Sequence, residues 1–208
     1  MQNLIDKLKG LKDDNLMDTI NNRIKVFQQF KTKSIKEIFI ELCFCIMTAN
    51  CGAKKCIEIH ENIGKGFLKL SEEQLTEQFK LLGYRFPNVR SKYIIEARES
   101  IGDLKEKLDS DLEESELRDW IVKNIKGIGY KEGSHFLRNI GYCNLAIIDF
   151  HILDFLEKYK LIEKPKSLTK KEYLQTENVL KSIGDQLNLT LAELDLFLWY
   201  LETGLILK

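Results

Sequence analysis

The segment 124–142, NIKGIGYKEGSHFLRNIGY, decides the fold, because two glycines flanking one isoleucine separate two segments of helical periodicity. Apolar residues recur at helical spacing over 117–125 before the turn and over 136–140 after it. Gly127 and Gly129 suit positive φ angles or close backbone approach. We therefore predict a tight helical hairpin, with its turn at 125–130.

The same turn predicts an anion site built from main chain. Amide groups after Gly127 can point outward at the start of the next helix, where the helix dipole also favours negative charge. A DNA phosphate matches such a site, and the predicted DNA contacts here are Lys126, Gly127, Ile128 and Gly129. The alternative is an ordinary turn between two helices, which is the commoner meaning of an isolated G-x-G.

Lys131 falls in the first turn of the second predicted helix. The helix dipole disfavours a cation at that end, and partial burial disfavours it further. A neutral lysine amine can attack a carbon atom and form a Schiff base. Lys131 is thus a candidate nucleophile, and a solvated lysine at an ordinary helix start is the alternative.

Asp149 is the second candidate for chemistry. It follows the apolar run LAII at 145–148 and precedes a helical pattern, so it is predicted to cap the N-terminus of that helix. A carboxylate there could also stabilise the positive charge that develops on a sugar during glycosidic cleavage, or shuttle protons. Capping and catalysis can use the same oxygens.

Composition indicates a soluble helical protein with no overall signature of nucleic-acid binding. The 208 residues carry 32 basic and 32 acidic side chains, so the formal net charge is zero. Local charge matters more than the sum, and the stretch from Lys123 to Arg138 holds four basic residues against one acidic residue. No apolar run approaches the ~20 residues of a membrane span, and the N-terminus lacks a signal-peptide core. We expect a cytoplasmic protein with no membrane partner.

Helical patterns dominate the whole chain, and strand-like alternation is scarce. We predict an all-α fold with helices at 2–14, 16–31, 34–49, 53–64, 72–82, 90–101, 111–125, 131–141, 150–160, 169–187 and 190–203. The apolar segment 190–203 should lie deep. We expect two helical subdomains, one formed by 1–30 with 142–208 and the other by 31–141, which ends in the hairpin at about 117–141.

The cysteines raise the question of a metal site. Four of the five lie within fourteen residues, and the full set is Cys43, Cys45, Cys51, Cys56 and Cys143. Their C-x-C-x5-C-x4-C spacing lacks the short pairs of structural zinc sites. The pattern favours buried or idle thiols, and a small metal-binding protein is the alternative.

The pattern I-K-G-I-G-Y-K at 125–131 resembles the helix-hairpin-helix element of DNA repair glycosylases, usually L-P-G-[IV]-G-x-K. Lys126 stands where proline is common in that family. In its bifunctional members the resemblance implies Lys131 as the nucleophile and Asp149 as its acidic partner.

The resemblance also implies a monovalent cation, Na⁺ or K⁺, bound at the hairpin by main-chain carbonyls. The corresponding carbonyls here belong to Lys123, Ile125 and Ile128. An iron–sulfur cluster is not expected, because the branch that carries one has four cysteines after the catalytic aspartate and this chain has none there.

Over most of its length the chain resembles the archaeal-type 8-oxoguanine DNA glycosylase/AP lyases. The matching stretches are ELCFCIMTAN, GYRF, IKGIGYKEGSHFLRNIGY, AIIDFHIL and ELDLFLWYLETGLILK. One departure is Phe150, which stands where that family has an arginine.

This resemblance implies a pocket for a base that has swung out of the DNA stack. Aromatic faces at Phe86 and Trp199 would flank the base, and Lys208 would read its edge. Asn50 would fill the vacated stack, and Arg85 would contact the opposite base. The alternatives are a core position for Trp199 and a flexible tail for Lys208.

The function implied is excision of 8-oxoguanine through a Lys131 Schiff base, followed by β-elimination at the abasic site. The fold implied is that of the helix-hairpin-helix glycosylases, with two helical subdomains flanking a cleft. No cofactor is expected to be required for the chemistry. The expected partner is damaged double-stranded DNA, with single-stranded DNA as an alternative substrate. We expect the protein to be a monomer. The alternatives are the same fold acting on another damaged base and a non-catalytic DNA-binding module.

Overall fold

The computed structural model describes residues 2–206, and within that range the chain is all-α, as predicted. Short 3₁₀ turns cover Phe30–Thr32 and Gly64–Leu68. The twelve α-helices of this range are α1 (Gln2–Gly10), α2 (Asp14–Gln29), α3 (Ile35–Thr48), α4 (Ala53–Ile63), α5 (Glu72–Leu81), α6 (Pro87–Glu99), α7 (Ile101–Leu108), α8 (Glu114–Asn124), α9 (Tyr130–Asn139), α10 (Phe150–Lys158), α11 (Lys170–Leu187) and α12 (Leu191–Thr203).

Capping residues set where many of these helices begin. Four helices, α3, α5, α11 and α12, start with a capping box, in which a serine or threonine side chain and a Glu or Gln three residues later satisfy each other's amides. Asp13 caps α2 by accepting the amide of Leu16 at 2.8 Å. This cap ends the predicted first helix at Gly10, because Asp13 adopts extended backbone.

Predicted and observed helices also differ between residues 87 and 108. α6 begins at Pro87 instead of 90, since the fixed φ of proline suits the first helical position. A separate helix, α7, occupies 101–108, where the sequence analysis expected only a joint. Gly102 lowers the helical propensity of this segment, so the helix was not predicted. Its residue Leu104 is buried.

The fold divides into two compact units, one from Thr32 to Phe136 and the other made of the residues before and after it. The second boundary falls inside α9, whereas the sequence analysis placed it after residue 141.

In the unit of Thr32–Phe136, α3 is the central helix and packs against α4, α6 and α7. Its second half is buried on all sides, so Cys43 and Cys45 are both fully buried although they point in different directions. The prediction of buried thiols is confirmed for these two residues.

In the other unit, α12 packs against α2 and α11, and α1 packs against α11. Most of the α12 residues from Leu191 to Leu198 are buried, as predicted for this apolar segment. Even so, no helix within residues 2–206 combines the length and the apolar character needed to cross a membrane.

A buried cation braces this second unit. The side chain of Arg138 is only 5% exposed and forms an ion pair with Asp195. Its guanidinium also donates to the Asn139 side-chain oxygen at 2.8 Å and lies 4.8 Å from the ring centre of Phe27. A buried charge needs such partners, because its transfer from water is costly.

We expect Arg138→Ala to lower the free energy of unfolding by about 3–5 kcal/mol, since it leaves the Asp195 carboxylate without this cation in a poorly solvated position. Lys164→Ala is the matched control, because its pair with Asp154 is far more exposed and should contribute about 0–1 kcal/mol. Denaturant titration of both variants gives the comparison. Equal losses would show that burial does not strengthen the Arg138 pair.

Candidate active site

The hairpin predicted from the sequence is present, with α8 ending at Asn124 and α9 beginning at Tyr130. Gly127 has φ +81°, and a Cβ atom there would lie 2.4 Å from the ring of Tyr93. Gly129 has no positive φ, but a Cβ atom on it would lie 3.2 Å from the carboxylate of Glu132. The first glycine is therefore required by conformation and space, whereas the second lies close to the Glu132 carboxylate without a conformational requirement.

A buried arginine fixes the hairpin from inside. Arg118 on α8 is 1% exposed and donates to the Ser134 hydroxyl of α9 at 3.0 Å. Its guanidinium lies 5.1 Å from the ring centre of Tyr130. The two helices approach closely at Gly133, where a Cβ atom would meet Arg118 Cγ at 3.3 Å. The sequence analysis missed Arg118, although a charged residue beside Leu117 on an apolar helix face was the available signal.

Lys131 is the second residue of α9, as predicted, and its side chain is 25% exposed. Its Nζ atom lies 3.6 Å from Oε1 of Glu132, whose side chain is 12% exposed. The other oxygen of Glu132 accepts the amide of Gly129 at 3.2 Å. The amine is thus held, largely buried, at the start of the helix.

The turn amides do not all point outward as expected. Ile128 donates its amide to the Ile125 carbonyl at 3.4 Å, and Gly129 donates to Glu132. Lys126 is exposed and pairs with Glu96 at 3.0 Å. Phosphate binding by Ile128 or Gly129 would therefore require these internal hydrogen bonds to open.

A buried thiol interacts electrostatically with the hairpin lysine and shares its hydrogen-bond acceptor with a phenol. Cys56 Sγ contacts the carbonyl oxygen of Met47 at 3.5 Å, and Tyr84 donates its hydroxyl to the same oxygen at 2.7 Å. Burial, reinforced by neighbouring Cys51, raises the pKa of the Cys56 thiol far above its ordinary value despite an attractive interaction with Lys131. Cys56 is therefore an uncharged thiol. Within residues 2–206, no group of three His, Cys, Asp or Glu side chains is arranged to hold a metal ion.

Arg90 connects the segments predicted to meet DNA. It is 9% exposed and donates to the Ala49 carbonyl at 3.1 Å, beside the exposed Asn50, which has φ +59°. Its guanidinium lies 5.9 Å from the ring centre of Phe86. A Cβ atom on Gly127 would lie 3.0 Å from the same guanidinium. One buried side chain thus contacts the Asn50 turn, the Phe86 ring and the hairpin.

Phe86 immediately precedes α6 and is half-buried. Tyr84 packs against it edge-on, with ring centres 6.5 Å apart. The exposed guanidinium of Arg85 lies 5.0 Å from the Phe86 ring centre. Phe86 and Arg85 therefore form a continuous surface feature, and their contacts with a base remain predictions.

In the other unit, Asp149 caps α10 and accepts the amide of Ile152 at 3.0 Å, which confirms its predicted position. Phe150 follows it with 69% of its surface exposed. Trp199 on α12 is half-buried, and its indole nitrogen is buried with no acceptor among the described residues. Lys208 lies outside the described residues.

The chain was compared with known proteins. The family described as 8-oxoguanine DNA glycosylase matches residues 20–189. An 8-oxoguanine DNA glycosylase/AP lyase of Methanocaldococcus jannaschii is 50% identical over 99% of both chains, and one of Korarchaeum cryptofilum is 45% identical over 100% of this chain and 99% of its own.

Solved structures of 8-oxoguanine DNA glycosylases are also similar to this chain. The M. jannaschii 8-oxoguanine glycosylase/lyase in complex with 15mer DNA containing 8-oxoguanine is 48% identical, covers 99% of each chain and has a TM-score of 0.95. The 8-oxoguanine DNA glycosylase of Thermotoga maritima is 36% identical, with a TM-score of 0.93 over 100% of this chain and 99% of its own.

We expect Gly127→Ala to destabilise the hairpin by at least about 1–2 kcal/mol, because a side chain disfavours this positive φ and the added Cβ collides with Tyr93. Gly102→Ala in α7 is the control, since its Cβ meets no atom within 4 Å and alanine favours a helix interior. Hydrogen exchange of the 125–131 amides and DNA affinity are the measurements. Unchanged exchange in Gly127→Ala would show that the turn tolerates a side chain.

Proposed function

Because the chain belongs to the 8-oxoguanine DNA glycosylase family, we propose that it excises 8-oxoguanine through Lys131 and then cleaves the DNA strand at the abasic site. The observation that carries the residue assignment is the position of Lys131. A lysine side chain that is 25% exposed stands at the N-terminus of α9, directly after the glycine hairpin that defines the resemblance.

The proposed reaction begins with neutral Lys131. Its nitrogen lone pair forms a bond to C1′, while the bond from C1′ to the base breaks and its electron pair leaves with the purine, which takes up a proton from solvent water. One proton then passes from the nitrogen to O4′ as the sugar ring opens to the Schiff base. Loss of a C2′ proton finally expels the 3′ phosphate by β-elimination.

Asp149 is the proposed carboxylate of this reaction. Its role would be to stabilise the positive charge that develops on the sugar as the base leaves. The N-cap supports this assignment, because the bond to the Ile152 amide fixes one oxygen and so orients the carboxylate.

DNA binding is assigned to the hairpin and to the surface around Arg90. Gly127, Ile128, Gly129 and Lys126 would contact phosphate. Asn50 would fill the vacated stack, and Arg85 would contact the opposite base. Phe86 and Trp199 would flank that base, since base–aromatic stacking contributes about 1–3 kcal/mol per base. The proposed partner is damaged DNA, bound by a monomer.

A monovalent cation at the hairpin fits the main chain. The last carbonyls of a helix have no donor within the helix. Ile125 leaves helical geometry with ψ 110° at the end of α8, and its carbonyl accepts the Ile128 amide at 3.4 Å while keeping a second lone pair. The carbonyls of Lys123, Ile125 and Ile128 would hold the ion, which when bound would supply positive charge near a phosphate.

We expect Lys131→Gln to give no covalent adduct when borohydride is added to the protein and an 8-oxoguanine duplex, because only an amine forms the Schiff base. The parent protein and the control Lys105→Gln, an exposed lysine on α7, should both be trapped. The same assay on duplexes with other damaged bases tests the alternative substrates. Adduct formation by Lys131→Gln, or none by the parent, would remove this mechanism.

We expect Asp149→Asn to separate capping from catalysis. Asparagine caps a helix about as well as aspartate, so stability should stay within about 0.5 kcal/mol, whereas Asp149→Ala should lose about 1 kcal/mol. Base excision should fall by about 10²-fold or more in both variants, because both lack the charge. Single-turnover excision and denaturant titration are the measurements. A fully active Asp149→Asn variant would show that Asp149 serves only as a helix cap.

A further inference from the structure

Glu132 contacts both the hairpin and the proposed nucleophile. One carboxylate oxygen accepts the amide of Gly129 at 3.2 Å, and the other lies 3.6 Å from Lys131 Nζ. Adjacent residues on a helix normally face different directions. The contact forms here because Glu132, the third residue of α9, folds back toward the helix start like the acidic residue of a capping box.

The proposed reaction requires that the Lys131 ammonium first lose a proton, because an ammonium has no lone pair. The acceptor must lie within about hydrogen-bond reach of Nζ, directly or through one water. With both side chains mostly buried, the Glu132 carboxylate is positioned to receive that proton after a small movement.

Four charged or titratable groups of the same unit that contact the hairpin or interact with Lys131 are poorly suited to the task. On α4, Cys56 is an uncharged thiol, since burial raises its pKa. Arg90 of α6 and Arg118 of α8 are cations. Asp119 of α8 already accepts the Tyr130 hydroxyl at 2.5 Å.

We propose that Glu132 is a further catalytic residue, the base that removes a proton from Lys131 before it attacks C1′. This inference rests on the proposed function. In the step, an N–H bond of the ammonium breaks, an O–H bond forms on Glu132, and the nitrogen keeps the electron pair that then bonds to C1′. Both groups are uncharged after the transfer.

The capping bond explains why a glutamate suits this role. Because one oxygen is held by the Gly129 amide, the other is directed at the amine without the cost of ordering a free side chain. The same bond makes a selective test possible, since a glutamine retains an acceptor oxygen for the Gly129 amide but cannot take a proton as a carboxylate does.

The test is single-turnover borohydride trapping by Glu132→Gln on 8-oxoguanine and abasic-site duplexes between about pH 6 and pH 9. We expect trapping about 10²-fold slower than in the parent near pH 7, with the deficit shrinking as hydroxide replaces the base. Affinity for DNA should not weaken. Glu132→Asp should recover part of the rate, because it retains a carboxylate.

Glu116→Gln is the matched control. Glu116 occupies the same third position in α8 and accepts the Glu113 amide at 3.0 Å. Its side chain is exposed, and it has no part in the proposed reaction. Its trapping rate should equal that of the parent at every pH.

Two results for Glu132→Gln would overturn the inference. A parent-like trapping rate would show that another group accepts the proton. A deficit that is constant with pH and accompanied by weaker DNA binding would reduce Glu132 to a helix cap. Neither result bears on the assignment of Lys131 as the nucleophile. That assignment is overturned separately if the Lys131→Gln variant forms a trapped adduct.

Discussion

The close approach of α8 and α9 at Gly133 is the constraint on which the candidate site depends. It lets the Arg118 guanidinium reach the Ser134 hydroxyl, which fixes the start of α9 relative to the turn. A buried arginine is costly to desolvate, and its hydrogen bond and the nearby Tyr130 ring offset that cost. This contact also positions Lys131, because Lys131 lies only three residues before Ser134 on the same helix.

Neutral net charge and DNA binding are reconciled by local structure. Buried Arg90 links the Asn50 turn, Phe86 and the hairpin, while Glu132 and Glu96 balance the neighbouring lysines. The surface proposed to contact DNA is thus ordered by a few internal polar contacts and does not depend on a broad basic face. Internal ion pairs also occupy the hairpin in the structure, so binding a phosphate involves exchanging partners as well as adding charge.

Local patterns predicted much of this molecule. The hairpin, the N-cap at Asp149, the first-turn position of Lys131 and the buried segment of α12 each follow from residues close together in the chain. Helix α7 was missed because Gly102 lowers helical propensity, and packing of Leu104 outweighs that local preference. The prediction that the turn amides point outward was wrong for Ile128 and Gly129. The Ile125 carbonyl accepts the Ile128 amide, and the Glu132 side chain accepts the Gly129 amide.

The sequence by itself determined the helical class, the glycine turn and the candidate lysine and aspartate, because turns, caps and periodicity depend on neighbours along the chain. Only the tertiary structure decided which charged residues are buried and what they touch. Arg118 and Arg90 look like ordinary basic residues in the sequence. In the fold, α9 packs over Arg118, and Arg90 reaches the carbonyl of Ala49 on a distant segment. Burial and pairing are set by distances in space, which no local pattern encodes.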